Sequence, residues 1–125
     1  MKVLVVDDSR AMRAYVRGAL RGAFDCTVVE VSSGFEALRI LPRERFDVAI
    51  ADINMPDING LELIRFVRGS ERHRGLPLII ISTQAADRDR RRAIELGASE
   101  FLAKPFDPDD IVRAVGRLAG GDQER

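Results

Sequence analysis

Long apolar runs are missing from this chain of 125 residues. The longest, Leu76 to Ile81, is strand-sized and carries Pro77, whereas a membrane-spanning helix needs ~20 apolar residues. No membrane association is expected. Excess charge is missing too, because twenty Lys and Arg balance twenty Asp and Glu. That balance argues against a general nucleic-acid or membrane-surface binder, which carries a basic surplus. Cys26 stands alone, so no internal disulfide can form, and a reducing cytoplasm is the expected compartment. Cys26 itself reads as a small buried or half-buried hydrophobe. The N-terminus lacks the apolar region and small-residue cleavage site of a signal peptide. Instead, Met1-Lys2-Val3 runs into a strand-like segment with Asp7 and Asp8 behind it. Repeats, low-complexity tracts and linkers are also absent. The expected organisation is one domain over residues 1–119, with a polar tail at 120–125.

What is present alternates. Five short apolar runs read as strands: Lys2–Val6, Thr27–Val31, Asp47–Ala51, Leu78–Ile81 and Glu100–Ala103. Several are apolar at consecutive positions, the pattern of strands covered on both faces. Between them, Met12, Tyr15, Val16, Ala19 and Leu20 recur at helical spacing. So do Phe35, Leu38 and Leu41, then Leu61, Ile64 and Val67, and finally Ile111, Val112, Val115 and Leu118. Ser33 with Glu36 and Asn59 with Glu62 read as capping boxes. Asp107 reads as an N-cap before Pro108, with Asp109 and Asp110 complementing the helix dipole. Gly97 falls where a left-handed residue would end the helix Arg88–Leu96. Strand then helix, five times over, predicts an α/β fold with right-handed crossovers. The simplest arrangement is a flavodoxin-like, doubly wound, five-stranded parallel sheet in the order 2-1-3-4-5 with five helices.

In such sheets ligands sit at the carboxyl ends of the strands, near the point where strand order reverses. The first strand ends in Asp7-Asp8, the third in Asp52, the fourth in Ser82 and the fifth in Lys104. Three carboxylates on one rim repel unless a cation joins them. Mg²⁺ is the natural candidate, since it takes one or two carboxylates, keeps waters and accepts phosphate oxygens. With Lys104 beside it, the rim suits a phosphoryl group, and a carboxylate can attack phosphorus to form an aspartyl phosphate. Asp52 ends a central strand between the acidic pair and Lys104, which makes it the expected nucleophile. Asp7, Asp8 and Asp52 would hold the metal, with the backbone carbonyl of Asn54 completing the shell, and Ser82 would donate to a phosphoryl oxygen. The chain uses eighteen arginines and only two lysines, Lys2 and Lys104. A compact ammonium therefore occupies the rim in a sequence that otherwise prefers guanidinium.

These residues resemble bacterial two-component response-regulator receiver domains of the CheY-like kind. The resemblance rests on Asp7-Asp8, Asp52-Ile53-Asn54-Met55-Pro56-Asp57 with Gly60, Ile81-Ser82-Thr83, Gly97-Ala98 and Lys104-Pro105-Phe106. It covers the chain from Lys2 to about Leu118. It implies that a kinase phosphohistidine phosphorylates Asp52, that Asp7 and Asp8 bind Mg²⁺, and that Ser82 and Lys104 contact the phosphoryl group. Ser82 rather than Thr83 has the family's spacing to Asp52 and Lys104. The resemblance also implies a switch in which Ser82 moves toward the phosphoryl group and Phe101 turns inward. Many relatives carry Tyr at that position, so a contact needing a phenolic hydroxyl is lost here. It further implies a Lys104-Pro105 bond that is commonly cis, and hydrolysis tuned at Asn54 and Gln84.

Plainer readings apply elsewhere. Asp57 and Asn59 read as turn and cap residues before the third helix. His73, the only histidine, reads as a solvent-exposed loop residue and not a phosphorelay group. The run Asp87-Arg88-Asp89-Arg90-Arg91-Arg92 reads as a solvated, salt-bridged helix face. The expected partners are a sensor histidine kinase or phosphotransfer protein and a downstream protein docking on the 87–118 face. The chain is expected to be a monomer, with dimerisation on activation as the alternative, and to bind no nucleic acid. It would be no enzyme beyond its own phosphoryl transfer and dephosphorylation. A phosphatase using an Asp nucleophile would want a second Asp where Asn54 stands. A flavodoxin-like cofactor binder would want glycine and free amides where Asp7-Asp8-Ser9 stands, and a scaffold with a degenerate site would not need the full acidic and Lys set.

Overall fold

The computed structural model describes residues 1–82 and 87–119. Its elements follow in strict alternation: β1 Lys2–Val6, α1 Arg10–Ala23, β2 Thr27–Val31, α2 Gly34–Ile40, β3 Val48–Asp52, α3 Gly60–Gly69, β4 Leu78–Ser82, α4 Asp87–Leu96, β5 Glu100–Ala103 and α5 Pro108–Ala119. All strand pairs are parallel, and the sheet order is β2-β1-β3-β4-β5, as the alternation predicts.

Apart from Lys2, Asp52 and Ser82 at their ends, the central strands are apolar at consecutive residues because both of their faces are covered. Val3, Val5, Val48, Ile50, Ile79 and Ile81 face α1 and α5, meeting Val16, Leu20, Ile111 and Val115. Their neighbours Leu4, Val6, Ala49, Ala51, Leu78 and Ile80 face α2, α3 and α4, meeting Ala37, Leu41, Ile64 and Ala93. The period of two thus divides each strand between two cores.

Three strand bounds differ from the expected ones, and the two at C-terminal ends matter for the site. β3 begins at Val48 and includes Asp52, while β4 extends to Ser82. Asp52 pairs in register with Ile81, and Ser82 with Ala103. The ladder therefore continues up to both polar residues and holds their backbones in the sheet. Asp47 precedes β3, and its carboxylate accepts from the Lys2 backbone N–H at 2.7 Å.

The helix starts follow cap chemistry with local changes. Ser33 Oγ accepts from Glu36 N–H, but the Glu36 carboxylate reaches back one residue further than a capping box requires. It accepts from the N–H and hydroxyl of Ser32, both at 2.6 Å. Asn59 Oδ1 accepts from Glu62 N–H at 3.0 Å. At α5 the Asp110 carboxylate accepts from Asp107 N–H at 2.9 Å. Gly97 has φ 114°, the left-handed turn expected after α4. Expectations for the tail at 120–125, and for Thr83 and Gln84, lie outside the described residues.

Candidate functional site

Asp7, Asp8, Asp52, Ser82 and Lys104 meet at the carboxyl edge of the sheet because parallel strands present all their C-terminal ends on one side. Asp7, Asp52 and Ser82 are buried, whereas Asp8 is exposed. One carboxylate oxygen from each of the three aspartates lies within 4.8 Å of the others. Lys104 Nζ stands 3.4 Å from Asp52 Oδ2 and 3.7 Å from Asp7 Oδ2. The remaining oxygens are tied locally. Asp7 Oδ1 accepts from Ser9 N–H at 2.8 Å, and Asp52 Oδ1 from Asn54 N–H at 3.1 Å. Lys104 is fixed through its backbone, whose N–H donates to the Ser82 carbonyl at 2.7 Å ahead of a cis Lys104-Pro105 bond.

Gly60 shapes the same rim. Its N–H donates to the Ile53 carbonyl, and a Cβ there would stand 2.8 Å from Ile53 Cα and 2.9 Å from the Asp52 carbonyl oxygen. Only a residue without a side chain lets the start of α3 pack this closely on the strand end that carries Asp52.

The electrostatics call for a cation. Three negative charges face one positive one. Asp7 Oδ2 is buried and lacks a hydrogen-bond partner among the described residues. Burial pushes the Asp7 carboxyl above its ordinary value, and the Ser9 N–H and the Lys104 charge oppose the rise only partly. A buried carboxylate oxygen with no donor, next to two further carboxylates, is a donor set fitted to a hard divalent cation. Asp7, Asp8 and Asp52 fit Mg²⁺ on this test. Asn54, whose carbonyl was expected to complete the shell, is exposed beside them and lines the adjoining cleft with Asp8, Met55, Asn59 and Asp89.

Other expected residues fall differently. Phe101 is buried, with the Arg90 guanidinium 5.6 Å from its ring centre. Asp57 lies in the bend before α3, as expected, but its side chain serves another element. It crosses to α2, where its carboxylate accepts from Gly34 and Phe35 N–H at 3.2 and 2.9 Å, and these bonds hold it below its ordinary value. His73 is half-buried rather than solvent-exposed, and burial with the nearby Arg72 and Arg45 lowers its pKa. The arginines of α4 are exposed as expected; they form no ion pair among the described residues, and the side chain of Asp87, the other acid expected to pair with them, lies outside these.

Two contributors escape a sequence reading. Ser9 caps α1 by accepting from Met12 N–H, while its own N–H orients Asp7. A serine directly before an apolar-periodic run was the available signal. Arg13 donates to the Asp7 carbonyl at 2.5 Å while pairing with Glu30, and nothing in its local sequence marks it.

Residues 3–116 match the family model of the response regulator receiver domain. The chain is similar to a chemotaxis protein CheY homolog of Campylobacter jejuni, at 37% identity over 121 residues, covering 96% of this chain and 93% of that one. Among solved structures it is similar to the chemotaxis response regulator CheY4 of Vibrio cholerae (TM-score 0.86, 33% identity), covering 94% of this chain and 97% of that one. It is also similar to the receiver domain of a sensor histidine kinase from Pseudomonas aeruginosa (TM-score 0.86, 28% identity), covering 95% and 97% of the two chains. That domain has a magnesium ion coordinated in its active site cleft.

Proposed function

The chain belongs to the response regulator receiver domain family, and on that premise we propose that it is a phosphoacceptor switch of a phosphorelay. Asp52 accepts a phosphoryl group from the phosphohistidine of a sensor kinase or phosphotransfer protein in a Mg²⁺-dependent reaction. The phosphorylated form then binds a downstream protein through the 87–118 face. The observation that carries this reading is the buried Asp52 carboxylate, 3.4 Å from Lys104 Nζ and clustered with Asp7 and Asp8.

In the transfer, an Asp52 oxygen forms a bond to phosphorus as the phosphorus–nitrogen bond breaks, and the imidazole leaves with that electron pair. The Asn54 N–H holds one carboxylate oxygen, which limits rotation of the nucleophile and keeps it oriented for in-line attack. Lys104 places positive charge beside the arriving phosphoryl oxygens, and Ser82, buried at the end of β4, supplies a hydroxyl to one of them. Mg²⁺ held by Asp7, Asp8, Asp52 and the Asn54 carbonyl would neutralise phosphoryl charge. The chain acts on no external metabolite and is a switch whose only chemistry is on its own carboxylate. Residues 1–119 form the receiver, working as a monomer in the cytoplasm without nucleic acid. No helix of the described residues is long and apolar enough to cross a membrane.

The test is intact-protein mass after incubation with a small phosphodonor, with and without Mg²⁺, for wild type and Asp52→Asn. One labile phosphoryl group, dependent on Mg²⁺ and absent from the variant, is expected. Unlabelled wild type that also shows no NMR response to beryllofluoride would reduce the acidic rim to a relic of a scaffold protein.

A further inference from the structure

The run Asp87–Arg92 holds four arginines, and one of its two aspartates, Asp89, is singled out by how α4 packs. On α4 the inward stripe runs through Asp89, Ala93 and Leu96, spaced by four and three residues. Asp89 and Leu96 are half-buried and Ala93 is fully buried, while Arg88, Arg90, Arg91 and Arg92 are exposed. The first position of that stripe, where an apolar residue would continue the core, is a carboxylate. It lines the cleft shared with Asp8, Asn54, Met55 and Asn59, which opens onto the acidic rim. Among the described residues it has no ion-pair partner, although arginines flank it on both sides in the chain. No described residue neutralises its charge in the cleft.

We infer that Asp89 is a specificity-determining residue of the phosphoacceptor site, a fixed negative charge at the cleft that selects phosphodonors by their charge. The inference rests on the reading of Asp52 as phosphoacceptor. A dianionic acyl phosphate entering past Asp8 and Asp89 meets like charge, which slows its approach. A phosphoramidate carries a positive nitrogen beside the phosphoryl group, and that nitrogen is attracted to the same carboxylate. In both reactions an Asp52 oxygen bonds to phosphorus. Acetate departs with the phosphorus–oxygen pair in one case, and ammonia with the phosphorus–nitrogen pair in the other. Asp89 touches neither bond and acts only on the encounter. The class favoured is a phosphoryl group on nitrogen, the chemistry of a phosphohistidine, over free acyl phosphates.

Asp89 is also the third residue of α4, where a carboxylate favours the helix dipole. That role would alter stability and leave donor preference untouched, so the two are separable. The experiment measures initial rates of Asp52 labelling by intact mass on the full chain, at saturating Mg²⁺ and low salt, with acetyl phosphate and with phosphoramidate. Asp89→Asn should raise the acetyl phosphate to phosphoramidate rate ratio roughly two- to fourfold, the effect of one screened charge on a dianion. Asp89→Glu should keep the wild-type ratio, as should Glu71→Gln, an equal charge change in the exposed loop before β4. The difference between wild type and Asp89→Asn should shrink at high salt. An unchanged ratio in Asp89→Asn, or an equal rise in Glu71→Gln, overturns the role of Asp89 alone. Wild type labelled by neither donor overturns the phosphoacceptor reading and this inference with it.

Discussion

Replacing Asp7 by Asn should stabilise the metal-free protein and remove most of its response to Mg²⁺. At an effective dielectric of ~20, Lys104 at 3.7 Å attracts the Asp7 charge by roughly 4 kcal/mol. Asp52, within 4.8 Å, repels it by roughly 3–4 kcal/mol, and exposed Asp8 adds a smaller repulsion. The pairwise contributions nearly cancel, so desolvation decides the sign. The Asp7 Oδ2 oxygen is buried without a donor, an arrangement that costs about 1–3 kcal/mol. Asn keeps the shape and carries no charge, so a gain of about 1–2 kcal/mol is expected at neutral pH in chelator, or roughly 4 °C per kcal/mol in Tm. The pH dependence follows the same cause. The folded chain holds the Asp7 proton more tightly than the unfolded chain does. The wild type's favourable contribution from protonated Asp7 is therefore present at low pH and lost as pH rises through the raised value. The Asn variant should lack that decline. With Mg²⁺ at a hundredfold excess over its Kd, the wild type should gain about 2.7 kcal/mol and the variant little of it. Urea unfolding followed by circular dichroism, in chelator and in Mg²⁺, measures both halves. A variant less stable than wild type in chelator, or one with an undiminished Mg²⁺ increment, would refute the reasoning.

Gly60→Ala should destabilise the fold by about 2 kcal/mol or more, because the new Cβ meets backbone rather than a movable side chain; its Asp52 labelling rate should fall as well, and a neutral result in both assays would contradict the close approach. Arg68→Ala should cost about 2–4 kcal/mol in urea unfolding. The Arg68 guanidinium donates to the carbonyls of Gly97, Arg74 and Leu76, and its loss leaves the Gly97 and Leu76 acceptors partly buried without it. Asp57→Ala should speed amide exchange at Gly34 and Phe35 specifically, with α3 unaffected, since the carboxylate caps α2 and not the helix that follows it.

Periodicity was enough for the architecture, because buried parallel strands must be apolar on both faces and helices on one stripe, and both patterns are local. Strand ends were legible to within one residue, since Asp52 and Ser82 are polar residues that the ladder nonetheless includes. Candidate site residues were legible because parallel topology brings every strand's last residue to one edge. The role of Asp57 was not, as a carboxylate three residues before a helix gives no sign that it will cap a different one. Nor was the partial burial of His73, which depends on loops that meet only in the folded chain.

The sequence by itself determined the alternation, the order of the elements and the chemical types gathered at the rim, because each follows from spacing along the chain. Only the tertiary structure decided which Asp7 oxygen is left without a donor, how far Lys104 stands from each carboxylate, and that Asp89 rather than its arginine neighbours turns toward the cleft. Those outcomes depend on how helices rotate against the sheet and which loops touch. Such contacts join residues far apart in the chain, and no local pattern encodes them.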